Sequence, residues 1–152
     1  NKEGVGQVPA GELVKNALRM RPDRIIVGES RGGEVVDMLQ AMNTGHNGSM
    51  TTVHANSASD AITRLEMMVG MSGFKGSSEL ILKMIGSALD MIVHIGRQSN
   101  GHRCVMQICK LTNTANGLQL RELFALDAGG NLARNPSEQN VPLLNDVMPG
   151  SP

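Results

Sequence analysis

Aromatic side chains are almost missing from this sequence: it holds two Phe, no Tyr and no Trp among 152 residues. That scarcity excludes the stacking platforms on which single-strand nucleic-acid binders lay their bases. Net charge is missing too, since 14 Lys and Arg offset 14 Asp and Glu. No basic field remains to draw in nucleic acid or an anionic membrane, so no direct nucleic-acid contact is expected. No apolar run approaches the roughly 18 residues needed to cross a bilayer, and no signal peptide opens the chain. Cysteine is scarce as well. Cys104 and Cys109 are the only two. Five positions apart on a strand, they are expected to point to opposite faces, which argues against a mutual disulfide or a metal clamp. They read as buried apolar thiols of a reducing compartment. An initiator Met is also lacking, and a chain starting at Asn1 reads as a piece of something longer.

What is present fits a single α/β domain. Apolar residues make up 40% and charged residues 18%, a balance that can bury a workable core. Eleven Met supply flexible thioethers to fill its gaps. Residues 1–10 read as a loop, and Leu13, Val14, Ala17 and Leu18 recur at helical spacing until Arg21-Pro22 stops the helix. Residues 24–27 form a β-branched run without polar alternation, which predicts a strand buried on both faces. A turn over 28–33, a helix over 34–42 and a second buried strand over 49–54 follow. Ser57 with Asp60 resembles a capping box opening a helix that presents Ile62, Leu65, Met68 and Val69. A loop over 70–76 leads to a helix capped by Ser77 or Ser78. The period then changes to two, predicting strands over 91–97, 103–111 and 118–126 in an antiparallel meander. Residues 127–152, rich in Gly, Asn, Pro and Ser, are expected to form a poorly ordered tail.

Several residues have the chemistry for a site. Glu29 lies just past the first strand, at the carboxyl end where open α/β sheets place ligands, and a carboxylate there can orient water. A turn Glu paired with Arg31 is the plainer alternative. His46 and His54 flank the second strand, with Thr52 and His54 on one face of it. Taken alone, each His is more often a satisfied structural group, and neither has zinc-ligand spacing or a third partner. Arg19, Arg21, Arg24 and Arg31 cluster around the first strand and suit phosphate clamping or a neighbouring subunit's site as well as a solvated helix end. Residues 28–33 imitate a phosphate-binding loop, but Glu34-Val35 stands where Lys and Ser or Thr are required.

The stretch LVKNALRMRPDRIIVGESRGGEVVDMLQAMNTGHNGSMTTVHAN, residues 13–56, strongly resembles the type II/IV secretion ATPase superfamily, close to the tight-adherence pilus assembly branch. RPDRIIVGE looks like that family's Walker B strand, and TGHNGSMTTVHAN like its histidine box. The resemblance runs from about Glu12 to Leu126. It implies a partial RecA-like P-loop NTPase layer, parallel strands with helices, plus the small meander, all within residues 1–126. It implies ATP and Mg²⁺ as cofactors, with Glu29 as the Walker B glutamate acting near the attacking water. Magnesium would be reached through Glu29 and an upstream P-loop, not through direct ligands of this chain. His46 and His54, supported by Thr52 and Asn56, would face the γ-phosphate and couple it to subunit movement. Arg31, Arg19 and Arg21 match basic positions facing nucleotide or an adjoining protomer.

By the same resemblance the parent is a hexamer in the cytoplasm. It would act at the inner face of the bacterial cytoplasmic membrane through an inner-membrane secretion or pilus platform protein. The P-loop and acidic box are absent from these 152 residues. Two readings therefore stay open: the carboxy-terminal portion of a motor for pilin assembly or protein and DNA export, or an inactive fragment for oligomerisation or docking.

Overall fold

A computed structural model describes residue 6 and residues 8–98 and 100–138. Its elements run α1 (Ala10–Arg19), β1 (Ile26–Val27), α2 (Val35–Asn43), β2 (Met50–Thr51), α3 (Ala58–Met71), α4 (Ser78–Ala88), β3 (Met91–Arg97), β4 (Arg103–Thr114), β5 (Gly117–Leu126) and β6 (Leu132–Arg134). A 3₁₀ turn, Pro136–Glu138, follows. β1 and β2 pair in parallel, and β3-β4-β5-β6 form an antiparallel sheet in chain order. The expected α/β layer with a meander is the observed architecture.

Each helix is bounded as its end residues dictate. α1 starts on Pro9, whose carbonyl accepts the amides of Glu12 and Leu13. It stops where Arg21 takes φ +53, the one non-glycine in the left-handed region among the described residues, just before Pro22. Ser57 Oγ accepts the Asp60 amide at 3.0 Å, while Asp60 Oδ2 accepts the Asn56 amide at 2.8 Å. The capping box is present, with its return bond displaced by one residue. Ser77, not Ser78, caps α4 through the Leu80 amide.

The core lies between α2, α3, α4 and one face of the meander. Val35, Leu39, Val69 and Ile85 are fully buried there, with Met38, Leu65 and Leu111 beside them. Each such aliphatic contributes about 1.5–3 kcal/mol by leaving water. Ile92, Leu118 and Leu120 add the sheet's contribution.

Four expectations are corrected. The predicted strands over 24–27 and 49–54 shrink to two residue pairs, Ile26↔Met50 and Val27↔Thr51. Neither is buried on both faces, since Ile26 is 69% and Met50 57% exposed. Side chains take over the ladder's ends: Ile25 N–H donates to Ser49 Oγ, and Thr52 Oγ1–H to the Gly28 carbonyl. α3 runs through Gly70 to Met71, so the expected loop starts two residues late. Part of the expected tail is ordered, because β6 pairs with β5 through Phe124↔Arg134 to Leu126↔Leu132; residues 139–152 lie outside the described residues. Finally, the register of β3 with β4 shifts between His94↔Gln107 and Ile95↔Val105, leaving Met106 extra. That bulge undoes the odd spacing, so Cys104 and Cys109, opposite Gly96 and Ile92, share one face. Both are free thiols, and burial pushes the Cys109 thiol up.

Candidate functional site

β1 ends at Val27, and the chain turns through residues 28–34 into α2. Backbone bonds continue the parallel pairing past the ladder, with the Ser30 amide donating to the Thr52 carbonyl at 3.0 Å. Ser30 is 2% exposed, the one buried polar residue described, and its hydroxyl lies 2.9 Å from Thr51 Oγ1 and donates to Met38 Sδ. Gly33 presses against the end of α3, where a Cβ would stand 3.1 Å from Ser72 Cα. The turn is therefore pinned on both flanks.

Glu29 projects from that turn between Arg31 and His54. Arg31 Nη2 stands 2.5 Å from Glu29 Oε2, and His54 Nε2 stands 2.8 Å from Glu29 Oε1. The Glu29 side chain is 23% exposed, whereas those of Arg31 and His54 are 77% and 83% exposed. The Arg31 hydrogen bond holds the Glu29 carboxyl below its usual range; burial opposes this, and the charges of Arg31 and His54 reinforce it. Although close to His54, Oε1 is shielded from solvent and receives no aligned hydrogen bond.

The other predicted residues scatter around this cluster. Thr52 ties its hydroxyl to the Gly28 carbonyl at 2.6 Å, bracing the backbone next to Glu29. His46 does not join Glu29: its Nδ1 is 3.1 Å from the Ala41 carbonyl at the end of α2. It does share with Thr52 and His54 a groove of about 940 Å³ between the β1–β2 ladder and β3. Asn56 contributes its backbone amide to the α3 cap and keeps its side chain exposed. Arg19 and Arg21 end α1 on the surface, and neither has an ion pair among the described residues.

Two positions were not legible from sequence. The sequence assigns Ser30 no role, and Glu34 enters only as the residue that stands where a phosphate-binding loop requires Lys. Glu34 Oε1 in fact accepts the amides of Arg31 at 2.6 Å and Gly32 at 2.9 Å. A carboxylate following a Gly-Gly turn at a helix start is the signal that could have found it.

Magnesium, implied by the resemblance, meets a limited donor set. No group of three His, Cys, Asp or Glu among the described residues could hold a metal ion. Glu29 Oε1 fits a water of the ion's shell, and Mg²⁺ commonly keeps several waters.

Residues 2–125 match the family of type II/IV secretion system proteins. The chain belongs to that family. Within it, this member is 39% identical over 129 residues to a Mycobacterium tuberculosis protein named for conjugal transfer, covering 85% of this chain and 36% of that protein. It is 45% identical over 118 residues to the conjugal transfer protein TrbB of Rhizobium radiobacter, covering 78% of this chain and 35% of TrbB. The crystal structure of the VirB11 ATPase from the Brucella suis type IV secretion system, in complex with sulphate, superposes with a TM-score of 0.64 at 32% identity. That match covers 68% of this chain and 32% of VirB11. The chain thus spans about a third of the length of the relatives it matches.

Proposed function

We propose that this chain supplies the water-positioning part of an ATP-hydrolysing motor for type IV secretion, conjugal transfer or pilus assembly. What carries the reading is Glu29, ionised beside Arg31 and His54, with Oε1 left without an aligned donor.

A carboxyl held below its ordinary range is a weak proton acceptor at neutral pH but a good hydrogen-bond acceptor. Glu29 accordingly orients a water through Oε1 and leaves proton removal to the phosphate side. Arg31 keeps the carboxylate charged, and His54 sits where added negative charge would draw its ring away from Glu29. Thr52 and Ser30 hold the two backbone segments at fixed spacing. Mg²⁺ bound with ATP would neutralise charge on the phosphates, chemistry that needs positioning more than covalent participation. The phosphate-cradling loop has no counterpart here, because no GxxxxGK[ST] stretch occurs in the 152 residues. In this proposal it belongs to the same motor and lies outside this chain. Assembly as a homo-hexamer, docking on an inner-membrane platform protein and a cytoplasmic location are parts of the same proposal. No described helix is long and apolar enough to cross a membrane.

A second reading makes this chain a non-catalytic oligomerisation or docking module. One experiment separates the two. In the longer polypeptide, Glu29→Gln should cut ATP hydrolysis by about 10²-fold or more with nucleotide affinity preserved, since shape is kept and charge is lost. Equal hydrolysis by variant and parent removes Glu29 from the reaction and leaves the docking reading.

A further inference from the structure

Arg31 is the cation that sets the charge of Glu29, yet its own side chain is 77% exposed. Packing cannot hold an exposed arginine in one place, so the orientation of its guanidinium rests on the backbone beneath it. On the sequence side that backbone is poorly restrained, because Gly32 and Gly33 follow directly and glycine populates φ/ψ space broadly. Three anchors counter that freedom. Ser30 is buried against β2 and Met38, Gly33 is wedged on Ser72, and between them the Glu34 carboxylate gathers the amides of Arg31 and Gly32.

The carboxylate serves the turn and not the helix. Glu34 stands at the start of α2 but its side chain makes no capping bond to the first helical turn. Its reach is backward, over the two amides nearest Arg31. Burial pushes its carboxyl up, but the amides of Arg31, of Glu34 itself and of Gly32 outweigh that and hold it below the ordinary range. At neutral pH it is ionised and acts only as an acceptor, so one oxygen takes both N–H bonds.

We propose that Glu34 is a positioning residue for the Glu29–Arg31–His54 cluster: by binding the Arg31 and Gly32 amides it fixes the backbone from which the Arg31 guanidinium reaches Glu29. The catalytic consequence rests on the proposed role of Glu29; the positioning itself does not.

The test uses the 152-residue chain and the variants Glu34→Ala and Glu34→Gln, followed by NMR. Glu34→Ala should speed hydrogen exchange at the Arg31 and Gly32 amides by about 10-fold or more, while the α2 amides of Met38 and Leu39 keep their protection. The titration midpoint of Glu29, read from its side-chain carbon, should move up toward the ordinary carboxylate range. Glu34→Gln keeps an acceptor oxygen and should restore most of both signals. A role confined to overall stability would instead speed every amide together and leave the Glu29 midpoint in place. Should Glu34→Ala not fold, Glu34→Asp, one methylene too short to reach both amides, gives the same comparison against Glu34→Gln.

In a hydrolysing parent, Glu34→Ala should lower kcat by about 10-fold or more with KM for ATP little changed, as loss of an outer positioning partner commonly does. Unchanged exchange and an unchanged Glu29 midpoint overturn the proposal whatever the rate does. If both signals move while kcat holds, positioning stands and the catalytic reading of Glu29 falls.

Discussion

Gly86 sits inside α4, where helix propensity alone says that alanine should stabilise the chain by about 1 kcal/mol. The packing says the opposite. A Cβ at Gly86 would lie 2.9 Å from Asn113 Cγ and nearer still to Asn113 Oδ1 and Leu118 Cδ1. Asn113 cannot step aside freely, because its Nδ2 donates to the Lys83 carbonyl at 3.1 Å and to Ser87 Oγ at 3.0 Å. Losing those two bonds costs about 0.5–1.5 kcal/mol each. Displacing Leu118, which packs against the main core, adds an overpacking cost of about 1–3 kcal/mol. Against a propensity gain of about 1 kcal/mol, the net is a loss of about 1–5 kcal/mol.

Gly70 provides the internal control. It is also helical, in α3, but a Cβ there would meet nothing within 4 Å. Gly70→Ala should therefore stabilise by about 0.5–1 kcal/mol. Urea unfolding followed by far-ultraviolet circular dichroism measures both variants. With a slope of about 1–3 kcal/mol per molar, 2 kcal/mol moves the midpoint by about 1 M. A Gly86→Ala midpoint at or above the parent's would refute the account of how α4 meets the meander.

Two further outcomes concern the site. The folded-state carboxyl of Glu29 lies below its unfolded value, so its pairing with Arg31 contributes stability above the unfolded value and loses it as pH falls through the folded one. Urea midpoints measured from pH 7 down to pH 3 should fall less steeply for Glu29→Gln than for the parent, and parallel curves contradict this. His54→Ala removes a side chain that is 83% exposed and should change stability by no more than about 0.5 kcal/mol while lowering ATP turnover of the longer polypeptide. A large drop in melting temperature with normal turnover makes His54 a structural residue instead.

Legibility in the sequence tracked how local each cause is. The bounds of β3 followed from strict alternation over residues 91–97, because one face of that strand meets the core and the other does not. Residues 24–27 misled, since a β-branched run signals burial only when layers cover both faces, and Ile26 stays 69% exposed. The Met106 bulge left no mark in composition, so the faces of Cys104 and Cys109 came out wrong. Arg21-Pro22 announced the end of α1 through proline sterics, but not that Arg21 itself would adopt φ +53. Glu29 and His54 were found from their positions beside the strands and from the motif resemblance. Glu34 was judged against a phosphate-loop template, which concealed a job that only three-dimensional proximity reveals.

The parallel ladder is two pairs long, and contacts that extend it, Ile25 with Ser49, Gly28 with Thr52 and Ser30 with Thr52, join positions 22 to 24 apart. The β4–β5 hairpin, by contrast, zips from a tight turn at Gly117 through eight pairs. Chain closure over the longer span forfeits more entropy before any contact returns it, so the meander should fold early and the β1–β2 ladder late. What folds late with few bonds also reopens first. Glu29 and His54 stand on opposite sides of that seam, carried by the segments after β1 and after β2 respectively. The distance between carboxylate and imidazole is thus set across a seam that closes late, held at its spacing once Thr52 and Ser30 have made their bonds.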